Sequence, residues 1–120
     1  MIHDSIWLGP HFQAKEFKCP CCGENEIHQE VVHVLEEIRK SVREPLRISS
    51  GVRCTSHNKN VGGAPKSFHQ PQDNGRGYAA DFTFSAASLK IPINIVRLYT
   101  LASEAVGDGG VILYPTWVHI

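Results

Sequence analysis

Gly110-Val111-Ile112-Leu113-Tyr114-Pro115-Thr116-Trp117-Val118-His119-Ile120, the last residues of the chain, decide the fold class. Two runs rich in β-branched and aromatic residues, Gly110–Tyr114 and Thr116–Ile120, flank Pro115 and read as strands in hairpin-like order. Upstream of them, Pro92 suits the first turn of a helix. Ile95, Leu98, Tyr99, Ala102 and Val106 keep helical spacing there, and Gly107 reads as the C-terminal cap. Further back, Ala79–Phe84 and the alternating Leu46-Arg47-Ile48-Ser49-Ser50 read as two more strands. Val31, Leu35, Ile38 and Val42 fall on one face of a helix from Gln29 to Arg43, with Glu36, Glu37, Arg39 and Lys40 opposite. Pro45 ends that helix. About two helices and four strands in this order imply an α+β fold, a small antiparallel sheet packed by the helices.

The rest reads as connection. Residues 1–18 form an irregular arm with a short turn near Gln13–Phe17, and Cys19-Pro20-Cys21-Cys22-Gly23 is a tight turn. Residues 52–78 are polar and read as one long loop region, a length that in a compact domain usually signals function. The 120 residues carry 42% hydrophobic and 20% charged side chains, the makeup of one globular domain over 1–120. Twelve basic residues balance twelve acidic ones. That balance argues against the broad basic field of a nucleic-acid binder. No apolar run is long enough for a membrane-spanning helix. The start, Met1-Ile2-His3-Asp4-Ser5, lacks the basic and apolar regions of a secretory signal, so synthesis without a leader is expected. Seven histidines and four cysteines are the unusual feature and invite a metal reading.

Ser67-Phe68-His69 lies in the long loop, Gly77-Tyr78-Ala79-Ala80-Asp81 enters a strand, and Trp117-Val118-His119 lies in the last strand. Two histidines and a carboxylate make a three-ligand zinc site with a fourth position for water. Taken alone the set is weak, because strand histidines are commonly hydrogen-bonded structural residues. Cys19 and Cys22, with Cys54-Thr55-Ser56-His57, offer a structural zinc knuckle of three cysteines and His57. A disulfide and free thiols are the alternatives. His3, His11, His28 and His33 read as structural or solvent-facing.

The order of several stretches carries a family resemblance. They are Ser50-Gly51-Val52-Arg53, His57-Asn58, Val61-Gly62-Gly63-Ala64, Ser67-Phe68-His69, Gly77-Tyr78-Ala79-Ala80-Asp81, and Tyr114-Pro115 with Trp117-Val118-His119. Together with His11-Phe12, Glu16-Phe17 and the cysteine turn, they resemble peptidase family M15, the zinc D-alanyl-D-alanine carboxypeptidases, and within it the short phage and bacterial members. The resemblance runs from about residue 11 to the end. It implies a hedgehog/D-Ala-D-Ala-peptidase-like fold and a zinc metallopeptidase acting at or near D-alanine in peptidoglycan stem peptides. His69, Asp81 and His119 match the family's metal ligands. Arg53 matches an arginine aimed at the scissile carbonyl, and Ser67 a serine lining the same cleft. One catalytic zinc is implied, with a second, structural zinc as the cysteine alternative. The expected setting is a monomer, cytoplasmic or phage-delivered, acting on the cell wall.

The chain departs from that family pattern in three ways. His69 and Asp81 lie five residues further apart than in the pattern Ser-x-His-x-x-Gly-x-Ala-x-Asp, the excess falling within Gln70–Arg76. The acidic general base of many members is replaced by Thr116, and the Asp of short members would be at position 121. The chain stops one residue after His119, so its C-terminus reads as truncated relative to the family. Asp73 and Asp108 are the other acids nearby, and the general base is unassigned. These departures motivate an alternative, a catalytically impaired zinc-containing module that binds peptidoglycan or serves a phage structure. A metal-free interaction domain is the third reading.

Overall fold

The computed structural model describes residues 2–84, 92–107, 110–114 and 117–120, with side-chain detail for all of these but 92–94. Helix α1 spans Gln29–Val42 and buries Val31, Val32, Leu35, Ile38 and Val42, the face the spacing predicts. His28 caps its start, its Nδ1 accepting from the Glu30 N–H at 3.1 Å. At its end Arg43 takes a left-handed φ of 57°, and its N–H donates to the Arg39 carbonyl. The chain thus leaves the helix before Pro45, whose ring disfavours helical backbone at the residue preceding it.

Four strands follow: β1 (Leu46–Ser50), β2 (Asp81–Phe84), β3 (Ile112–Leu113) and β4 (Val118–His119). They form one antiparallel sheet in the order β1-β2-β4-β3. The architecture is therefore α+β, as expected. Strand β1 has the bounds its sequence predicts, and β2, β3 and β4 are shorter than their apolar runs, although Ala80 and Ile120 extend the β2–β4 pairing by exchanging N–H···O bonds of 3.3 and 3.0 Å. All four residues of β2 are buried. As a central strand it is covered on both faces, which explains a continuous apolar run rather than an alternating one.

Helix α3 (Pro92–Val106) packs against α1 and against β2, β3 and β4. It buries Ile95, Leu98 and Ala102, while Tyr99 and Val106 are half-buried. Gly107 ends it at φ 68°, a conformation that favours glycine. The expected turn near Gln13–Phe17 is a short 3-10 helix, Ala14–Phe17. Phe12, Phe17, Leu35, Leu98, Val118, Phe82 and Phe84 meet in one apolar core.

The long polar stretch is not all loop. Thr55–Asn60 forms a short helix, α2, which adds a third helix to the two expected. Its cap is unusual: the Cys54 Sγ accepts from the His57 N–H at 3.4 Å, in the role that a Ser or Asp oxygen normally fills. A six-residue polar helix has no apolar period to reveal it.

The pairing of β2 positions the chemistry. Ile48 pairs with Phe82, but the next pair is Ser50 with Asp81, so one residue of β1 bulges out. On the other side Asp81 pairs with His119. Directly opposed residues on antiparallel strands project to the same face with Cβ atoms about 4.5–5.5 Å apart. The β2 core therefore supports the polar face of the same strand. Phe82 is fully buried beside Asp81, and Phe82→Ala is expected to cost about 3–5 kcal/mol in denaturant unfolding. A loss below about 1 kcal/mol would contradict this placement of the core.

Candidate metal centre

His69 approaches the sheet from the loop between α2 and β2, and several bonds fix it there. Its carbonyl accepts the Arg53 N–H at 2.8 Å, and its own N–H donates to Ser67 Oγ at 3.2 Å. Its Nδ1 lies 2.7 Å from the Gly51 carbonyl. A carbonyl only accepts, so Nδ1 carries the proton and Nε2 of the neutral ring presents a lone pair. The ring is 2% exposed, and that lone pair points at Asp81 and His119.

The three donor atoms converge. His69 Nε2 lies 3.4 Å from Asp81 Oδ1 and 3.3 Å from His119 Nδ1. His119 Nδ1 lies 2.7 Å from Asp81 Oδ1. A tetrahedral zinc with ligands at about 2.0–2.2 Å holds its donors about 3.3 Å apart. Two of the three separations match. The third is a hydrogen bond, which would exchange for coordination once His119 Nδ1 gives up its proton, so metal uptake at this site is pH-dependent. The donor set, two imidazoles and one carboxylate, suits zinc.

Asp81 is ionised here. Burial pushes its pKa up, but the hydrogen bond from His119 Nδ1 and the closeness of the His69 ring outweigh burial and hold the carboxyl well below the usual carboxylate range. Arg53 adds an ion pair, its Nη2 lying 3.2 Å from Asp81 Oδ2. Arg53 is itself held in place: its Nε donates to Ser50 Oγ at 2.9 Å and its Nη1 to Asn58 Oδ1 at 3.4 Å. Three of its five N–H groups are thus engaged, leaving two for another ligand. Asn58 is buried and also donates to the Ala64 carbonyl at 2.9 Å. Gly63 makes room for it, since a Cβ there would stand 2.1 Å from Asn58 Oδ1.

These groups open onto a cleft of about 480 Å³ lined by Arg53, Ser67, His69, Asp81 and His119, with Lys66, Phe68, Tyr114 and Trp117 at its walls. The Tyr114 and Trp117 rings stack with centroids 4.5 Å apart. A smaller hollow of about 300 Å³ is lined by residues of α1 and the C-terminal part of the chain and contains none of these groups. The extra residues between His69 and Asp81 close on themselves through Gln72 N–H to Arg76 O and Gly75 N–H to Gln72 O, at 2.9 and 2.8 Å. Residues 73–76 are exposed, so the insertion leaves the donor set intact. Asp73 lines a neighbouring hollow instead. Asp108 and Thr116 lie outside the described residues. Among the described residues lining the cleft, Asp81 is the only carboxylate.

Of the cysteine set, Cys19, Cys22 and Cys54 come together and His57 does not. His57 sits one turn into α2, and its main-chain N–H, not its ring, meets the Cys54 sulfur. Of the alternatives offered for these residues, the knuckle with His57 as its fourth ligand is not what the structure brings together. His11 bonds Glu36 at 2.7 Å, and His28 stacks on Tyr78, both structural as expected. The roles of Ser50, the Gly51 carbonyl and Asn58 are not legible in the sequence. Their motifs, Ser-Gly-x-Arg and His-Asn, were visible, but their convergence on Arg53 and His69 depends on the tertiary fold.

A search of curated proteins and a search of solved structures returned no match. The family model for Peptidase M15 matches residues 10–120. Among the described residues, that span takes in every strand, every helix and all those that face the cleft. The chain belongs to the peptidase M15 family, whose members are zinc-dependent peptidases.

Proposed function

We propose that the protein hydrolyses peptide bonds at or near D-alanine in peptidoglycan stem peptides, as a single-domain zinc metallopeptidase acting on the cell wall. The observation that carries this reading is the convergence of His69 Nε2, Asp81 Oδ1 and His119 Nδ1 beside Arg53 in one cleft of an M15 chain. His69, Asp81 and His119 would hold the zinc. Bound zinc supplies Lewis acidity and lowers the pKa of a water to about 7.

The chain's own residues supply the rest. The Gly51 carbonyl keeps His69 in the tautomer a metal needs. Arg53 orients Asp81 through Oδ2, leaving Oδ1 to face the two imidazoles. The two remaining N–H groups of Arg53 suit the substrate carbonyl oxygen, which gains negative charge as the carbonyl carbon becomes tetrahedral. One such fixed donor is worth about 3–4 kcal/mol. Lys66 adds positive charge at the wall, which suits a peptide carrying free carboxylates. Ser67 bounds the same cleft and fixes the main chain of His69.

The test is release of new amine termini from purified muropeptides by the zinc-loaded full chain. Release of D-alanine indicates a carboxypeptidase, and release of an internal amine an endopeptidase. No new amine from either contradicts the proposal.

One observation favours a second reading: Asp81 is the only carboxylate among the described residues lining the cleft, and as a metal ligand it is not free to act as general base. General base catalysis is worth about 10²- to 10⁴-fold. A zinc-containing module that binds wall peptides without turnover would co-sediment with purified peptidoglycan and release nothing.

A further inference from the structure

The second group of converging donors lies outside the cleft. Cys19, Cys22 and Cys54 bring their sulfurs within 4.8 Å of one another, and Cys21 is an exposed thiol of the same turn. Three thiols from two distant segments thus meet at one place, with a fourth beside them in sequence. A zinc with Zn–S bonds of about 2.3 Å holds its sulfurs about 3.8 Å apart, which fits inside that span. One disulfide would use two of these sulfurs and leave the others against it, open to exchange.

The main chain is arranged for thiolate at this place. The Cys54 N–H donates to Cys19 Sγ at 3.5 Å. The His57 N–H donates to Cys54 Sγ at 3.4 Å. Such N–H···S bonds are the outer support that orients metal ligands. The turn itself is closed by Cys19 N–H to Glu24 O and Gly23 N–H to Cys19 O, at 2.7 and 2.8 Å.

We propose that Cys19, Cys22 and Cys54, with Cys21 in the fourth position, hold a structural zinc that ties the N-terminal arm to the turn carrying Gly51 and Arg53. The two segments already touch at that point. The Val52 N–H donates to the Phe17 carbonyl at 2.8 Å, and a Cβ on Gly51 would stand 2.6 Å from the Phe17 main chain. Gly51 gives its carbonyl to His69, and Arg53, next to Cys54, pairs with Asp81. The thiol cluster therefore braces the turn that orients the cleft, from the side away from substrate. This site stands independently of the reading of the His69, Asp81 and His119 centre.

The test combines zinc content with thiol reactivity on the full chain, purified under reducing conditions and then freed of reductant and loose metal. The expected result is two zincs per chain in the wild type, one in Cys22→Ser and one in His69→Ala. Cys22 is exposed, so its substitution spares the core. In the native wild type and in His69→Ala, an aromatic disulfide reagent should react slowly with all four cysteines. A chelator should speed that reaction at least tenfold. Zinc content unchanged in Cys22→Ser, with four thiols reacting at the denatured rate, overturns the proposal. Fewer than four titratable thiols in denaturant without reductant marks a disulfide and overturns it equally. Zinc lost in Cys22→Ser but not in His69→Ala supports this site and contradicts the other one.

Discussion

Arg53→Ala is expected to lower kcat on a susceptible wall peptide by about 10²- to 10³-fold, the usual cost of removing one fixed oxyanion donor. Zinc content should not fall. Arg53 touches Asp81 Oδ2, whereas the donor atom Oδ1 is held by the two histidines. Arg53→Lys should restore little, because an ammonium cannot reproduce the fork that spans Ser50, Asn58 and Asp81. Steady-state kinetics beside elemental analysis would check this. Equal loss of zinc and activity would place Arg53 in metal retention instead of catalysis.

Asp81→Ala is expected to act on two levels. In the metal-free protein it leaves the largely buried Arg53 guanidinium without its anion, at a cost of about 3 kcal/mol. It also abolishes a zinc ligand. Zinc at a thousand times its Kd stabilises a folded protein by about 4 kcal/mol. The wild type should thus gain on the order of 10 °C in Tm when zinc is added, and the variant far less. The pH dependence has a definite sign. The Asp81 carboxyl sits below its ordinary value in the folded chain. Its stabilisation is therefore fully present above the ordinary carboxylate pKa of about 4 and is lost as pH falls through the folded value. Thermal melts of metal-free wild type and Asp81→Ala should converge on acidification. A constant gap down to strongly acidic pH would contradict the ionised pair.

Much of this was legible in the residues. The i, i+4, i+7, i+11 spacing of Val31, Leu35, Ile38 and Val42 located α1 within a residue, because burial of one face is what a period records. Pro92 and Gly107 bracketed α3 because the fixed φ of proline suits a first helical turn and glycine adopts the left-handed φ of a C-terminal cap without strain. His69, Asp81 and His119 were legible as candidates by residue type and order, but their meeting was not. It depends on the pairing of Asp81 with His119 and on the bulge that sets Asp81 against Ser50. Helix α2 was missed because a thiol caps it and no apolar face marks it. The role of Asn58 was missed for a related reason: a buried amide serving Arg53 and Ala64 looks like any loop asparagine until the loop is folded. His57 follows Cys54 at ligand spacing, but its ring does not join the three converging thiols.

The most direct test of the metal centre is a crystal structure of the zinc-loaded protein with anomalous data at the zinc absorption edge. The expected result is a peak about 2.0–2.2 Å from His69 Nε2, Asp81 Oδ1 and His119 Nδ1 together, with the His119–Asp81 hydrogen bond opened. No peak among these atoms, with His119 still hydrogen-bonded to Asp81 in the presence of saturating zinc, would contradict it.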